Sequence, residues 1–154
     1  MQKRSILTFI FVFILLFSNS SCNELWGNHT LGNNLSLSEG DKKEDRIIVY
    51  CEGDCHGGIY VVPTYERHYD SSKQHYAEYV EEAVSNKKWV IAKTYQIQEK
   101  KENYWIISKD FNIENIDCSK VNCDSILQSH VTGPLNLVGL QTKMKGLNID
   151  LDFK

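Results

Sequence analysis

Short runs of β-branched and aromatic residues, set off by turn-forming stretches, dominate the pattern of apolar and polar positions along this chain. Arg46 to Cys51 reads Arg-Ile-Ile-Val-Tyr-Cys and Gly58 to Pro63 reads Gly-Ile-Tyr-Val-Val-Pro, with the Gly-rich stretch Glu52 to Gly57 between them. Such a pair predicts a β-hairpin. Trp89 to Ile97 and Tyr104 to Ser108 flank the charged turn Glu99 to Asn103 in the same way and predict a second hairpin. Between the two pairs, Tyr76, Tyr79, Val80, Ala83 and Val84 fit the i, i+3, i+4, i+7, i+8 template of an amphipathic helix. The rival is a strand over the same residues that turns at Asn86-Lys87 and pairs with the Trp89 run. Near the C-terminus, Leu137, Leu140, Met144 and Leu147 follow Asn136 at helical spacing. This predicts a helix over about 137–145, with Asn136 as N-cap, Gly146 as C-terminal stop, and Lys143 and Lys145 near its negative end. The fold class expected is α+β: a small antiparallel β-meander with a C-terminal helix packed on it.

The first residues belong to a different pattern. Met1-Gln2-Lys3-Arg4 is a basic start, Ser5 to Phe17 is an apolar run, and Ser18 to Ser21 is small and polar. Together they have the three-part form of a secretory signal. The apolar run, about 13 residues, falls short of the ~20 that a spanning helix needs. Cys22 follows Ser20-Ser21 directly, as in a bacterial lipobox, where the thiol accepts a diacylglyceryl group before cleavage on its N-terminal side. Asn19 departs from that pattern, since an apolar residue is usual there. The alternative is ordinary cleavage with Cys22 left as a spare thiol. Five cysteines favour lipidation, because one would otherwise lack a partner in an oxidising compartment.

Residues 23–46 are rich in Asn, Gly, Ser and charge and show no sustained period, so they read as a linker that would span roughly 25 to 30 Å as a flexible coil. Trp26 is its one conspicuous side chain, suited either to a membrane interface or to packing on the domain. The organisation expected is therefore a signal peptide over 1–21, a lipid-anchored tether over 22–45 and a single β-rich domain over 46–154. A bacterial cell envelope is the expected location, with the domain facing the periplasm or the exterior and Cys22 joining it to the membrane.

Net charge narrows the partners. The whole chain carries −3, which becomes −5 once Lys3 and Arg4 leave with the leader, and no cluster of cations stands out: the basic run Lys100-Lys101 sits between Glu99 and Glu102, which cancel its field locally. Nucleic acid is excluded by that balance, since binding a phosphate backbone takes clustered cations.

The strand-like Trp89-Val90-Ile91-Ala92-Lys93, then Tyr104-Trp105-Ile106-Ile107, then Gly133-Pro134-Leu135-Asn136, all following a lipoprotein leader, resemble the small bacterial lipoproteins grouped as domain of unknown function 3997. The likeness covers roughly residues 79–148. It implies a strand at Tyr79 to Ser85 turning into the next one, against the helical count. This sequence departs from the family pattern in having Val138 and Gly139 where acidic residues commonly begin the helix, and in its four domain cysteines. The family is uncharacterised, so the resemblance brings no activity and no catalytic residues.

Cys51 and Cys55, and Cys118 and Cys123, are the densest chemistry in the domain. In an exported protein they make two disulfides, local or crossed. The metal alternative uses the four thiolates, with His56 as a substitute ligand. Spacings of three and four intervening residues, and an oxidising compartment, weigh against it, and neither metal nor cofactor is expected. Among the other histidines, His29, His68, His75 and His130 read as solvated loop residues, and Glu81-Glu82 as a solvent face. No P-loop, nucleophile elbow, zinc-protease motif or dinucleotide fingerprint is present, so an enzyme is not expected. The segment Tyr65, Glu66, Arg67, His68, Tyr69 and Asp70 is polar and aromatic, which suits either a solvated connecting loop or a protein-contact surface. The function expected is a non-catalytic, lipid-anchored envelope domain that binds a protein partner, with an immunity protein against a toxin as one version. A structural or accessory lipoprotein and a small cysteine-based metal-binding domain are the alternatives.

Overall fold

A computed structural model describes residues 28–52 and 58–154. The first sheet is a meander of four antiparallel strands, β1 (Asn28–Gly32), β2 (Leu35–Ser38), β3 (Ile47–Tyr50) and β4 (Ile59–Val62), in that order. A 3-10 turn, Lys43–Asp45, lies between β2 and β3. A single turn of helix, α1 (Tyr65–His68), leads into a two-stranded ribbon, β5 (Tyr69–Asp70) and β6 (His75–Tyr76). The second sheet has the order β10-β9-β8-β7 and is antiparallel throughout, formed by β7 (Glu78–Ser85), β8 (Trp89–Gln96), β9 (Lys101–Ser108) and β10 (Val131–Leu135). Helix α2 (Cys123–Ser129) precedes β10 and helix α3 (Leu137–Leu147) follows it. The architecture is α+β, as the sequence pattern predicts.

Alternation along the central strands explains why they are apolar on both faces. Val80, Val90, Ala92, Trp105 and Ile107 point to one side and pack against Leu31, Leu35, Leu37, Ile48, Val61 and Val62 of the first sheet. Ile91, Tyr104 and Ile106 point to the other side and pack against Leu140 of α3 and Ile149. The second sheet is thus the middle layer, with the first sheet on one face and α3 on the other.

Both predicted hairpins form, as β3–β4 and β8–β9. Residues 78–85 are a strand rather than a helix, turning at Asn86, whose Oδ1 accepts hydrogen bonds from the backbone N–H of Lys88 and Trp89 at 2.9 Å each. The helical spacing of Tyr76 to Val84 is coincidental: eight residues of strand pair along all of β8, and the ladder satisfies more backbone than a two-turn helix on the surface would.

The tether expected over 22–45 requires correction for the residues described. From Asn28 onward the chain is folded, and Leu31, Leu35 and Leu37 are core residues, Leu35 with no exposed surface. Leu35-Ser36-Leu37-Ser38 alternates at period two, and Asn33 and Asn34, with φ of 54° and 58°, form the left-handed two-residue turn between β1 and β2 that asparagine tolerates. Composition alone marks these residues as linker; the brief alternation marks them as strand. The domain therefore reaches at least from Asn28, not from 46.

Helix α3 has its predicted N-cap, with the Asn136 side chain accepting from Gly139 N–H at 2.7 Å. Its end differs from expectation. The helix runs through Gly146, and Asn148, in the left-handed conformation at φ 51°, closes it. Its contact with the sheet is also narrower, through Leu140 and Met144, while Leu137 and Leu147 are exposed.

Glu81 is not the free solvent residue expected. A bulge places it as the extra residue of β7 between Val80 and Glu82. Its backbone carbonyl accepts from Arg46 at 2.7 Å, and its carboxylate pairs with Lys43 at 3.0 Å and Lys93 at 3.3 Å. Glu82 accepts from the backbone N–H of Lys154 at 2.7 Å.

Candidate binding cleft

The polar aromatic segment at 65–70 is ordered, and it forms one wall of an open cleft. Thr64 carries the first turn of α1, its carbonyl accepting from the N–H groups of Arg67 (2.9 Å) and His68 (2.8 Å). The β5–β6 turn is then tied by Asp70, whose Oδ1 accepts from the Ser72 hydroxyl (2.5 Å) and from the N–H of Ser72 (3.0 Å) and Lys73 (3.2 Å). Its other oxygen accepts from Gln98 at 3.1 Å. The Ser72 hydroxyl, then Gln98 and Lys73, hold the Asp70 carboxyl far below the usual carboxylate range.

His68 departs most from expectation. It is 3% exposed, not solvated. Its Nδ1 lies 3.0 Å from the backbone carbonyl of Glu78 and must carry the ring proton, because a carbonyl only accepts. The ring lies 4.4 Å from that of Tyr76 and 5.8 Å from that of Tyr60. Tyr65 stands edge-on to Tyr60 at 5.4 Å, and Tyr69 edge-on to Tyr76 at 5.6 Å. Burial pulls the imidazole pKa down, with the Glu78 carbonyl and the charge of Asp45 opposing. Tyr65 and Tyr76 remain exposed at the outside of this cluster.

The cleft beside it has a volume of about 610 Å³. Glu66, Arg67 and Asp70 line it from α1 and β5, and Glu78, Lys101 and Asn103 from the second sheet. Glu78 is a carboxylate with only 3% of its surface exposed. Its Oε1 accepts from the Thr94 hydroxyl at 2.5 Å and from Asn103 Nδ2 at 3.2 Å. The Thr94 oxygen in turn accepts from the indole N–H of Trp105 at 2.8 Å, so three strands hold one carboxylate. The Arg67 guanidinium stacks 5.1 Å from the centre of the Trp105 ring, on the cleft side of the same network.

Of the four proposed surface residues, Tyr65 is exposed, Arg67 is exposed but stacked on Trp105, Tyr69 is half-buried and His68 is a core residue. Glu78, Thr94 and Asn103 escaped the sequence reading. Thr94 and Asn103 stand 16 and 25 residues from Glu78 in the chain, and only strand register unites the three: Thr94 is opposite Asn103 across β8 and β9, and Val80 is opposite Thr94 across β7 and β8.

Cys118 and Cys123 form a local disulfide, Cα to Cα 5.4 Å, at the start of α2. Cys51 is disulfide-bonded as well. Cys22, Trp26, Cys55 and His56 lie outside the described residues. Among the described residues no three His, Cys, Asp or Glu side chains are placed to hold a metal ion, and no helix is long and apolar enough to cross a membrane. No family model, curated protein or solved structure matches the chain.

Proposed function

We propose that this chain is an exported, lipid-anchored envelope protein whose domain binds a protein partner without catalysing a reaction, and that the partner seats on the aromatic rim and cleft formed by α1, the β5–β6 ribbon and the second sheet. The observation that carries this reading is the rim itself. Tyr65 and Tyr76 stay exposed although the rings of Tyr60, His68 and Tyr69 order them from behind. Pre-ordered tyrosines beside an arginine are the composition of interface anchors, because large rigid rings bury much area at little entropic cost. The cleft supports a binding rather than a catalytic role. The Ser72 hydroxyl donates to Asp70, whose carboxylate is itself engaged by the Ser72 and Lys73 N–H groups and by Gln98 in holding the β5–β6 turn, which is a structural use of both groups.

An immunity protein that neutralises a toxin from a neighbouring cell is the narrower version of this reading, favoured by small size, export and acidic charge. The membrane attachment is through Cys22. Replacing it, Cys22→Ser, is expected to move the protein from the membrane to the soluble fraction and to remove the acyl mass from the N-terminal peptide; an unchanged distribution would overturn the lipid anchor.

The partner is tested by affinity capture with the full-length lipoprotein, from its own envelope and from the secretions of competing cells, alongside the double variant Tyr65→Ser, Tyr76→Ser. A stoichiometric protein held by the native chain and lost by the folded double variant is expected. Recovery of none, or equal recovery by both, would turn the assignment towards a structural lipoprotein.

A further inference from the structure

Glu78 is a buried carboxylate that lines a cleft and, among the described residues, has no counterion. Both of its side-chain hydrogen bonds among the described residues end on Oε1, from neutral donors, and no lysine or arginine of those residues stands within ion-pair distance of it. The two nearby cations of the cleft are otherwise disposed: Arg67 is stacked over Trp105, and Lys101 is an exposed residue at the start of β9. Lys73 is paired with Asp70 at 3.5 Å.

From this we infer that the cleft receives the cationic side chain of the partner, a lysine ammonium or an arginine guanidinium, with Glu78 as its counterion. The inference rests on the protein-binding reading above and adds the chemistry of the contact. Desolvating a carboxylate is costly, and that cost is incurred in the fold of the free protein, so a cation arriving at Oε2 meets a charge already stripped of most of its water. Such preorganised pairs contribute more than exposed ones, where water competes. Thr94 and Asn103 fix the orientation of the carboxylate by holding its other oxygen, and the Trp105 indole N–H fixes the Thr94 hydroxyl in its donating direction. Glu66, also on the cleft wall, adds negative charge at the approach. Tyr69, Ala77 and Pro134, which also line the cleft, offer apolar surface for the methylene stem of such a side chain.

Small probes test the pocket without the partner. The full-length chain, labelled with nitrogen-15, is titrated with Nα-acetyl-lysine amide, Nα-acetyl-arginine amide and the uncharged Nα-acetyl-norleucine amide, following the Asn103 side-chain amide and the Trp105 indole N–H. Saturable shifts with the cationic probes are expected, with norleucine binding at least tenfold more weakly. Glu78→Gln, which keeps an oxygen for Thr94, should weaken the cationic probes at least tenfold. Absence of saturation with both cations, equal binding of norleucine, or unchanged binding to a folded Glu78→Gln domain would each overturn the inference. The norleucine comparison needs no variant and decides the matter even if Glu78→Gln fails to fold. A captured partner that depends on Tyr65 and Tyr76, with no cationic probe bound, would overturn this contact and leave the protein-binding reading standing; bound probes without any partner would do the reverse.

Discussion

Gly133 passes so close to Trp105 that a β-carbon built on it would stand 2.4 Å from the indole Cε3 and 2.9 Å from the backbone oxygen of Tyr104. Its φ of 152° also belongs to a region that side chains avoid. This glycine lets β10 close over the edge of the ring whose N–H anchors the Glu78 network. Gly133→Ala is therefore expected to destabilise the domain by about 2–4 kcal/mol, combining backbone strain with overpacking against an indole that has no room to retreat. Urea denaturation measures it; a change below about 0.5 kcal/mol would contradict the close approach.

The position of Leu35 gives a test of where the domain begins. It has no exposed surface and sits in the core that joins the two sheets. Leu35→Ala should cost about 2–5 kcal/mol, the usual range for such a cavity. A chain beginning at Arg46 loses β1 and β2 and should show no cooperative unfolding transition. If that truncated chain melts as sharply as the longer one, residues 28–38 are not part of the core.

Protonation of His68 couples stability to mild acid. Its pKa is lowered in the folded protein, chiefly by burial, so the unfolded chain takes up the proton first as pH falls. The sign follows: stability is full above the unfolded value, near 6.5, and declines from there down to the lowered folded value. The slope in that window is at most about 1.4 kcal/mol per pH unit for one proton. Comparing urea midpoints at pH 7.5 and 5.5 checks this. His68→Phe, which keeps the ring among Tyr60 and Tyr76 and cannot titrate, should flatten the difference, and an undiminished slope would move its origin elsewhere.

The Cys118–Cys123 bridge closes a short loop, with a sequence separation of 5. On chain-entropy grounds a loop so short stabilises by about 2 kcal/mol. The double variant Cys118→Ser, Cys123→Ser should accordingly lower the unfolding midpoint and leave the sheets intact, as read by far-ultraviolet circular dichroism. Loss of all folded signal would mean that α2, which also has its Asn122 cap on Ser125 N–H, depends on the bridge far more than its length implies.

The sequence by itself determined the hairpins at Arg46 to Pro63 and Trp89 to Ser108, and the capped helix after Asn136, because each rests on local chemistry: strand-forming runs, turns between them, and one side chain that caps. The α+β class followed from these. Two local rules competed at 78–85, where helical spacing favoured one element and the ladder along β8 enforced another. At 28–38 composition hid a hairpin, since strands of five and four residues are too short to show a sustained period, and only the core they enter reveals why Leu31, Leu35 and Leu37 are there. The tertiary structure alone decided the cleft. His68 is polar by type and looked exposed, but its place between Tyr60 and Tyr76 depends on how α1 folds back onto the sheet. Glu78, Thr94, Asn103 and Trp105 come from three strands, and nothing local to any of them announces the others. Register across a sheet is a long-range property, set by which apolar faces pack together, and it is register that gathers their polar atoms around one buried carboxylate.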